Sequence, residues 1–293
     1  MPWRYALLFL GAFASSMSVI LIRMSHANSI VLSALRLLLA AALLSPVFWL
    51  EWRRHRAAWT RSHWVRTLPP SLLLAVHFSS WAYGARLTVA AQASLIVNLV
   101  PIVMPFFLHW LVRERINRVE ICGTLLALAG VVVLTARDAF AGGANYRGNI
   151  VCFISMLLVA CYVALGRRNR DFPSLWLYVI PIYLQAGLIC LALSLPWLGQ
   201  FDAGSSREWL SVVGLACVPT ILGHSLLNYS VRHLRGQVVG LVFASQFIFP
   251  AVLAVSLYQE RLTPLFCTAS VIVLAGITLV VFSAPSPPPP AVE

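Results

Sequence analysis

Apolar stretches of about 20 residues recur along this chain, near 5–22, 29–49, 68–86, 90–111, 119–136, 148–166, 175–195, 209–229, 238–258 and 264–283. A helix needs about 20 residues to cross a hydrocarbon core about 30 Å thick. With 60% apolar residues and only 10% charged, against roughly 25% charged in ordinary globular proteins, a chain of 293 residues cannot hide its apolar surface in one soluble core. The expected fold is all-α and integral to the membrane, with ten transmembrane helices. Arg4 followed by an apolar run resembles a secretory leader, but the run continues to Ile22, beyond a leader's usual core, so the first span is expected to be retained.

The net charge of +12 would suggest nucleic acid in a soluble protein. Here every basic residue is arginine, and the arginines cluster between the apolar runs, which points to membrane topology and no nucleic-acid partner. With the N-terminus inside, the inner segments hold Arg4, Arg53, Arg54, Arg56, Arg61, Arg66, Arg113, Arg115, Arg118, Arg167, Arg168, Arg170, Arg232 and Arg235. The outer segments hold only Arg23, Arg86, Arg137, Arg147, Arg207 and Arg261. Both termini are therefore expected in the cytoplasm. The proline-rich residues 284–293 are expected to be a disordered tail. Six cysteines lie within apolar segments with no C-x-x-C pair, so neither a disulfide framework nor a metal site is indicated.

The chain also repeats itself. Sliding it by 146 residues, without a gap, brings Ser79 onto Ser225, Tyr83 onto Tyr229, Arg86 onto Arg232, Glu114-Arg115 onto Glu260-Arg261, and Leu128-Ala-Gly130 onto Leu274-Ala-Gly276. Apolar matches arise by chance among membrane helices; a Glu-Arg pair one helix after a Tyr-x-x-Arg in both halves does not. The repeats are assigned to residues 1–142 and 143–283, five helices each. Five is odd, so the second repeat enters from the opposite side. Such inverted repeats characterise secondary transporters, whose substrate site lies near the midplane between the halves.

These features resemble the drug/metabolite transporter superfamily, in particular its bacterial EamA-type members. The resemblance rests on SALRLLLAAALLSP (33–46), QASLIVNLVPIVMPFFLHWLVRERI (92–116) and GTLLALAGVVVL (123–134), with FASQFIFPAVLAVSLYQERL (243–262) and ASVIVLAGITLVVF (269–282) in the second half. It spans essentially residues 5–283. It implies a multi-pass protein of the bacterial inner membrane, with a central cavity lined mainly by helices 1, 3, 4, 6, 8 and 9. Family members include exporters of amino acids, aromatic ones among them. The first half carries the family's proline 13 residues before its terminal glutamate, Pro101 to Glu114; in the second half Pro250 precedes Glu260 by only ten, so a displaced kink is expected there.

Polar side chains at membrane depth are costly and face a cavity or another helix. His77 and Trp81 share one face of the third span, His224 and Asn228 repeat that spacing on the eighth, Ser94 and Asn98 lie on the fourth, and Ser245 and Gln246 on the ninth. Together with Tyr162 these are the substrate-binding candidates. Interhelical hydrogen bonding is the competing reading for the histidines. Arg36, about two turns into the second span, either snorkels to the outer surface or meets a substrate carboxylate at the outer mouth. The Glu-Arg pairs at helix ends are read as fixing loop geometry.

Absences narrow the chemistry. None of the nine carboxylates falls mid-span, which argues against proton-coupled export of quaternary cations. Phosphorylated substrates would want basic groups at depth. A neutral or zwitterionic substrate such as an amino acid fits best, carried by a facilitator or exchanger with no cofactor and no required oligomer; a proton-coupled drug, cation or other metabolite exporter is the alternative. A receptor has little use for a polar midplane between inverted repeats. An intramembrane enzyme needs a nucleophile and base in reach. His224 and Ser225 are adjacent and point about 100° apart on a helix, with no acid beside them, so no catalytic residue is assigned and the chain is not read as an enzyme.

Overall fold

Inside lipid no water can satisfy backbone N–H and C=O groups, so a spanning segment of this chain has to bond them within itself as a helix. The computed structural model describes residues 2–113, 117–141, 144–233, 242, 245–259 and 261–283, and among these residues the secondary structure is helical throughout. The helices are α1 (Pro2–Ser16), α2 (Ser18–Met24), α3 (Ser29–Arg54), α4 (Arg61–Arg66), α5 (Leu68–Leu87), α6 (Ala90–Val97), α7 (Val100–Val112), α8 (Arg118–Ala141), α9 (Ala144–Arg168), α10 (Leu175–Leu198) and α11 (Ser206–Leu215). A π-helical segment (Ala216–His224), α12 (Ser225–His233), a 3-10 turn (Ser245–Phe247), α13 (Ile248–Tyr258) and α14 (Pro264–Ser283) follow. Several are pieces of one span. Among the described residues, six helical stretches are long and apolar enough to cross a membrane: Trp3–Met24, Ser29–Arg54, Ala90–Leu111, Asn145–Arg168, Leu175–Leu198 and Ser206–Ser230; Ile248–Leu257 and Pro264–Val280 are shorter apolar helices. Glu114, Arg115, Glu260 and the proline-rich tail lie outside the described residues.

The repeat found in the sequence reappears in the packing. The most extensive helix pairings join α8 to α14, α3 to α10, and α5 to α9, with α1 against the π segment and α12. Shifted by 146 residues, the first two pairings map onto themselves, and the third maps onto the fourth. The backbone agrees. Arg113 (φ 60°) ends α7 and Gln259 (φ 55°) ends α13, both left-handed, and these are the only non-glycine residues with positive φ among those described. They are 146 residues apart. A left-handed residue closes a helix by turning its N–H back to orphaned carbonyls, here Arg113 N–H to His109 O.

The displaced kink expected near Pro250 is not found. The first-half break lies at Asn98–Leu99, between α6 and α7, and Pro101 follows in the first turn of α7. The second-half irregularity is the 3-10 turn at Ser245–Phe247, and Pro250 likewise follows in the first turn of α13. A proline is tolerated there because first-turn N–H groups have no intrahelical acceptor. The turn, and not the proline, keeps the register.

Small residues let α8 and α14 touch backbone to backbone, as membrane helices require when apolar burial no longer drives association. A Cβ added at Gly276 would stand 2.5 Å from Gly123 O and 2.6 Å from Ala127 N. The symmetry-equivalent contact sets Gly130 against Ala269 O, at 3.1 Å from an added Cβ.

Arginines at the two ends of α5 tie the bundle. Arg86 donates to Ile22 O (3.3 and 3.2 Å) and Ala27 O (2.6 Å), claiming carbonyls around the end of α2. Beside it, buried Glu208 accepts from Ser25 Oγ (2.5 Å) and His26 N (2.7 Å). At the opposite end Arg66 grips Asp171 through two hydrogen bonds (2.8 and 2.6 Å) and Asn169 Oδ1. Hydrogen bonding to Arg66 holds the Asp171 carboxyl below its usual pKa of 3.8.

Gly276→Ala should force α8 and α14 apart and destabilise the protein by about 1–3 kcal/mol, whereas Gly199→Ala, with nothing within 4 Å of the added Cβ, should leave the melting temperature unchanged. A lowered folded-state pKa means that the Asp171 contribution is complete above pH 3.8 and disappears as the pH falls through the shifted value. The difference in Tm between wild type and Asp171→Asn in detergent should therefore shrink below that pH.

Candidate functional site

Proline at 219 organises the middle of the bundle. Lacking an N–H and clashing with the carbonyl four residues back, a mid-helix proline leaves that carbonyl, Leu215 O, without its donor. The chain widens into the π segment Ala216–His224, a local form frequent at functional sites. The Thr220 hydroxyl reclaims the carbonyl, donating to Leu215 O at 2.7 Å. Its single proton is then spent, and its lone pairs accept from Arg36 Nε (3.1 Å) and Nη2 (2.7 Å).

Arg36 is the largest fully buried side chain, 1% exposed. This corrects the snorkelling reading: the guanidinium does not reach a surface. It is folded into the bundle, 4.1 Å above the Phe78 ring. Phe78 is halfway along α5 and Thr220 is mid-way through the Ser206–Ser230 span. Arg36 Nη1 has no hydrogen-bond partner. No ion pair involving Arg36 exists among the described residues, and its charged and titratable neighbours are Tyr183, Cys190, His77 and His224, none of them a carboxylate. Burying a cation this way costs on the order of several kcal/mol even after relaxation. The cation–π contact and two bonds to a neutral hydroxyl offset only part of that.

Around the guanidinium lie other buried polar groups. The His224 ring packs edge-on against Phe78, centroids 5.3 Å apart, and its Nδ1 is buried without a partner. The Tyr162 hydroxyl, fully buried, faces Asn228 without forming a bond of normal geometry. Asn228 Nδ2 donates to His224 O at 2.8 Å. Tyr183 donates to Thr220 O at 3.3 Å. Phe78, Tyr162, Tyr183 and Ala216 belong to one apolar core cluster, so the polar groups are set in an apolar surround.

His224 and Phe78 also locate the axis of the repeat. They are 146 residues apart, hence equivalent, and they touch each other; equivalent positions can meet only near the axis. The two histidines are consequently not mates: under the ungapped shift His77 falls on Gly223. Arg36 falls on Ile182 and so has no counterpart.

His77 faces elsewhere. Its Nδ1 lies 2.9 Å from Ser155 O and 2.8 Å from Ser155 Oγ, while Ser155 Oγ is 3.0 Å from His77 O. The consistent assignment protonates Nδ1, which donates to Ser155 O, while the serine hydroxyl donates to His77 O. This is an interhelical tie between α5 and α9. Trp81 turns toward the first span and donates to Ser18 Oγ at 3.0 Å. A second polar spot joins the two helix breaks: Asn98 donates to Ser94 O (2.7 Å) and accepts from Gln246 Nε2, whose partner atom Gln246 Oε1 is buried and unbonded. Ser94 is buried next to it; the Ser245 side chain lies outside what is described.

The structure thus brings Arg36, Tyr162, His224 and Asn228 together, joins Asn98 to Gln246 apart from them, and commits His77 and Trp81 to neighbouring helices. The sequence reading passed over Phe78 and Thr220 as contributors. Only Thr220 left a trace in sequence, a threonine directly after a mid-span proline.

Comparison with known proteins places these features. The model of the EamA-like transporter family matches twice, over residues 2–136 and 146–282. The aromatic amino acid exporter YddG of Ancylobacter novellus is 27% identical over 172 residues, 57% of this chain and 57% of that one, so the match spans little more than half of the relative. A solved crystal structure of a protein 17% identical superposes with a TM-score of 0.66, covering 95% of this chain and 97% of the other, which bears on the fold alone.

Thr220→Val keeps the side-chain volume but removes the hydroxyl bond to Leu215 O and orphans the Arg36 fork. It should cost about 1–3 kcal/mol, read as a lowered Tm in detergent, while Thr220→Ser, which restores the hydroxyl, should recover most of it.

Proposed function

This chain belongs to the EamA-like transporter family, and on that premise we propose that it exports amino acids or related small neutral or zwitterionic metabolites across the bacterial inner membrane by alternating access. Two inverted five-helix repeats, residues 1–142 and 143–283, with both termini in the cytoplasm, rock against each other around a site on their common axis. The observation that carries this reading is the set of buried, under-bonded polar groups at that axis. Arg36 Nη1 and His224 Nδ1 lack partners, and Tyr162 faces Asn228 short of a bond. Native interiors satisfy such groups, and their concentration in an apolar core supports a place that a polar ligand completes.

The aromatic lining of Phe78, Tyr162 and Tyr183 suits a side chain with an apolar or aromatic body, and the Ancylobacter relative, an aromatic amino acid exporter, agrees with it. No carboxylate stands in this cluster among the described residues. That favours a facilitator or exchanger over export driven by protonation of a buried acid. Asn98 and Gln246 bridge the two broken helices, where irregular backbone is tolerated because it faces protein or a cavity. His77 and Trp81 hold the walls in place.

Counterflow in proteoliposomes tests the reading. Vesicles preloaded with unlabelled compound are offered labelled neutral, aromatic, acidic and basic amino acids and a quaternary cation, with and without a pH gradient. The expected result is saturable exchange of neutral or aromatic amino acids that ignores the gradient and falls at least about tenfold in Asn98→Ala, with flux measured per folded protein because the variant also leaves Ser94 O and Gln246 without their partner. Gradient-dependent cation flux would replace this substrate class with the drug-exporter alternative.

A further inference from the structure

We propose that Arg36 is the anion anchor of the transport site: its unpaired Nη1 receives the carboxylate of the carried molecule, so that the substrate itself supplies the missing counter-charge. The inference rests on the transport reading above and deepens it from neutral metabolites in general to molecules that bear one carboxylate. The physical argument is one of accounting. A guanidinium has five N–H donors in a fixed plane. Here Nε and Nη2 are held on one edge by Thr220, whose own proton is committed to Leu215 O, and one face is covered by Phe78. The arginine is therefore pre-oriented, and Nη1 is the end left over, buried and unbonded. Arg is suited to carboxylates because its planar fork matches the two oxygens and because it keeps its charge where a lysine would lose it.

The surroundings set the rest of the ligand. Beside Arg36 stands His224 with its unbonded Nδ1, and next in this core come the Tyr162 hydroxyl and Asn228, neutral groups that can take an ammonium or hydroxyl but provide no second fixed charge. Only one full charge is thus demanded of the substrate. An ammonium is optional, and a second anionic group has no partner. Because the guanidinium is 1% exposed, it can be reached only when the packing over its free end opens, so the carboxylate is captured on opening and covered on closing.

The chemistry would equally accept a small inorganic anion, and the experiment separates the two. Three competitors with the same ring are compared in counterflow of labelled phenylalanine and in thermal stabilisation of the purified protein: phenylalanine, phenylalanine amide, and 3-phenylpropanoate. The expected result is that phenylpropanoate competes and stabilises, whereas the amide is at least about tenfold weaker. In Arg36→Gln this preference should collapse to near unity, and in Arg36→Lys it should persist in part. A merely structural arginine would lower flux and Tm without moving the ratio. Equal competition by amide and acid in the wild type, or a preference that survives in Arg36→Gln, would overturn the anchor while leaving transport intact. Exchange of phenylpropanoate but not of any amino acid would uphold the anchor and refute the amino-acid reading. Flux and stabilisation that vanish when chloride is replaced by isethionate, with no dependence on the competitor's carboxylate, would assign the site to an inorganic anion and overturn the proposal. Failure of all three compounds to exchange or stabilise would overturn both readings.

Discussion

Everything in this bundle follows from the lack of water to satisfy a broken backbone. Wherever a helix is interrupted, a side chain has to take over the freed groups, and the interruptions here are where the polar chemistry lies. Thr220 replaces the donor removed by Pro219, Asn98 covers Ser94 O at the break between α6 and α7, and Arg86 collects the carbonyls around the end of α2. These repairs position further groups. Thr220 orients Arg36; Asn98 meets Gln246. A transport pathway needs polar atoms and irregular backbone at depth, and the lipid allows them only where each supports the next.

The second organising element is the approximate two-fold relation between the halves. Its best evidence lies in features with no apolar component: equivalent left-handed residues, Arg113 and Gln259, and mutually inverted close contacts between α8 and α14. Against that regular frame the departures stand out. Arg36 is matched by Ile182, and the π segment at Thr220 is matched by ordinary helix around Leu74 in α5.

Much of the frame was legible in the sequence. Apolar runs of spanning length, the 146-residue repeat and the absence of mid-span carboxylates are properties of residue type and spacing alone; the helix pairings follow the repeat, and six of the ten runs are spanning helices among the described residues. The site was legible only in part. Arg36 was visible as a charge at depth, but whether it snorkels or folds inward depends on Thr220, 184 residues away, and on the face of Phe78. His77 looked like a cavity histidine because its spacing to Trp81 places both on one face; the structure gives its proton-bearing nitrogen to Ser155, a partner on another helix that no periodicity reveals. His224 was paired with His77 by type, whereas the repeat register pairs it with Phe78.

That last pair carries a consequence for how such a site can arise at all. In a symmetric dimer of one five-helix subunit, a residue on the axis faces its own copy, so a phenylalanine would meet a phenylalanine and an imidazole an imidazole. Any arginine beside the axis would likewise come with a twin, two like charges confronting each other in a dry core. Joining the halves in one polypeptide removes that obligation. Position 78 can differ from position 224, one guanidinium can stand without a rival, and a lopsided molecule with a charged end and an aromatic end can be held in a single orientation.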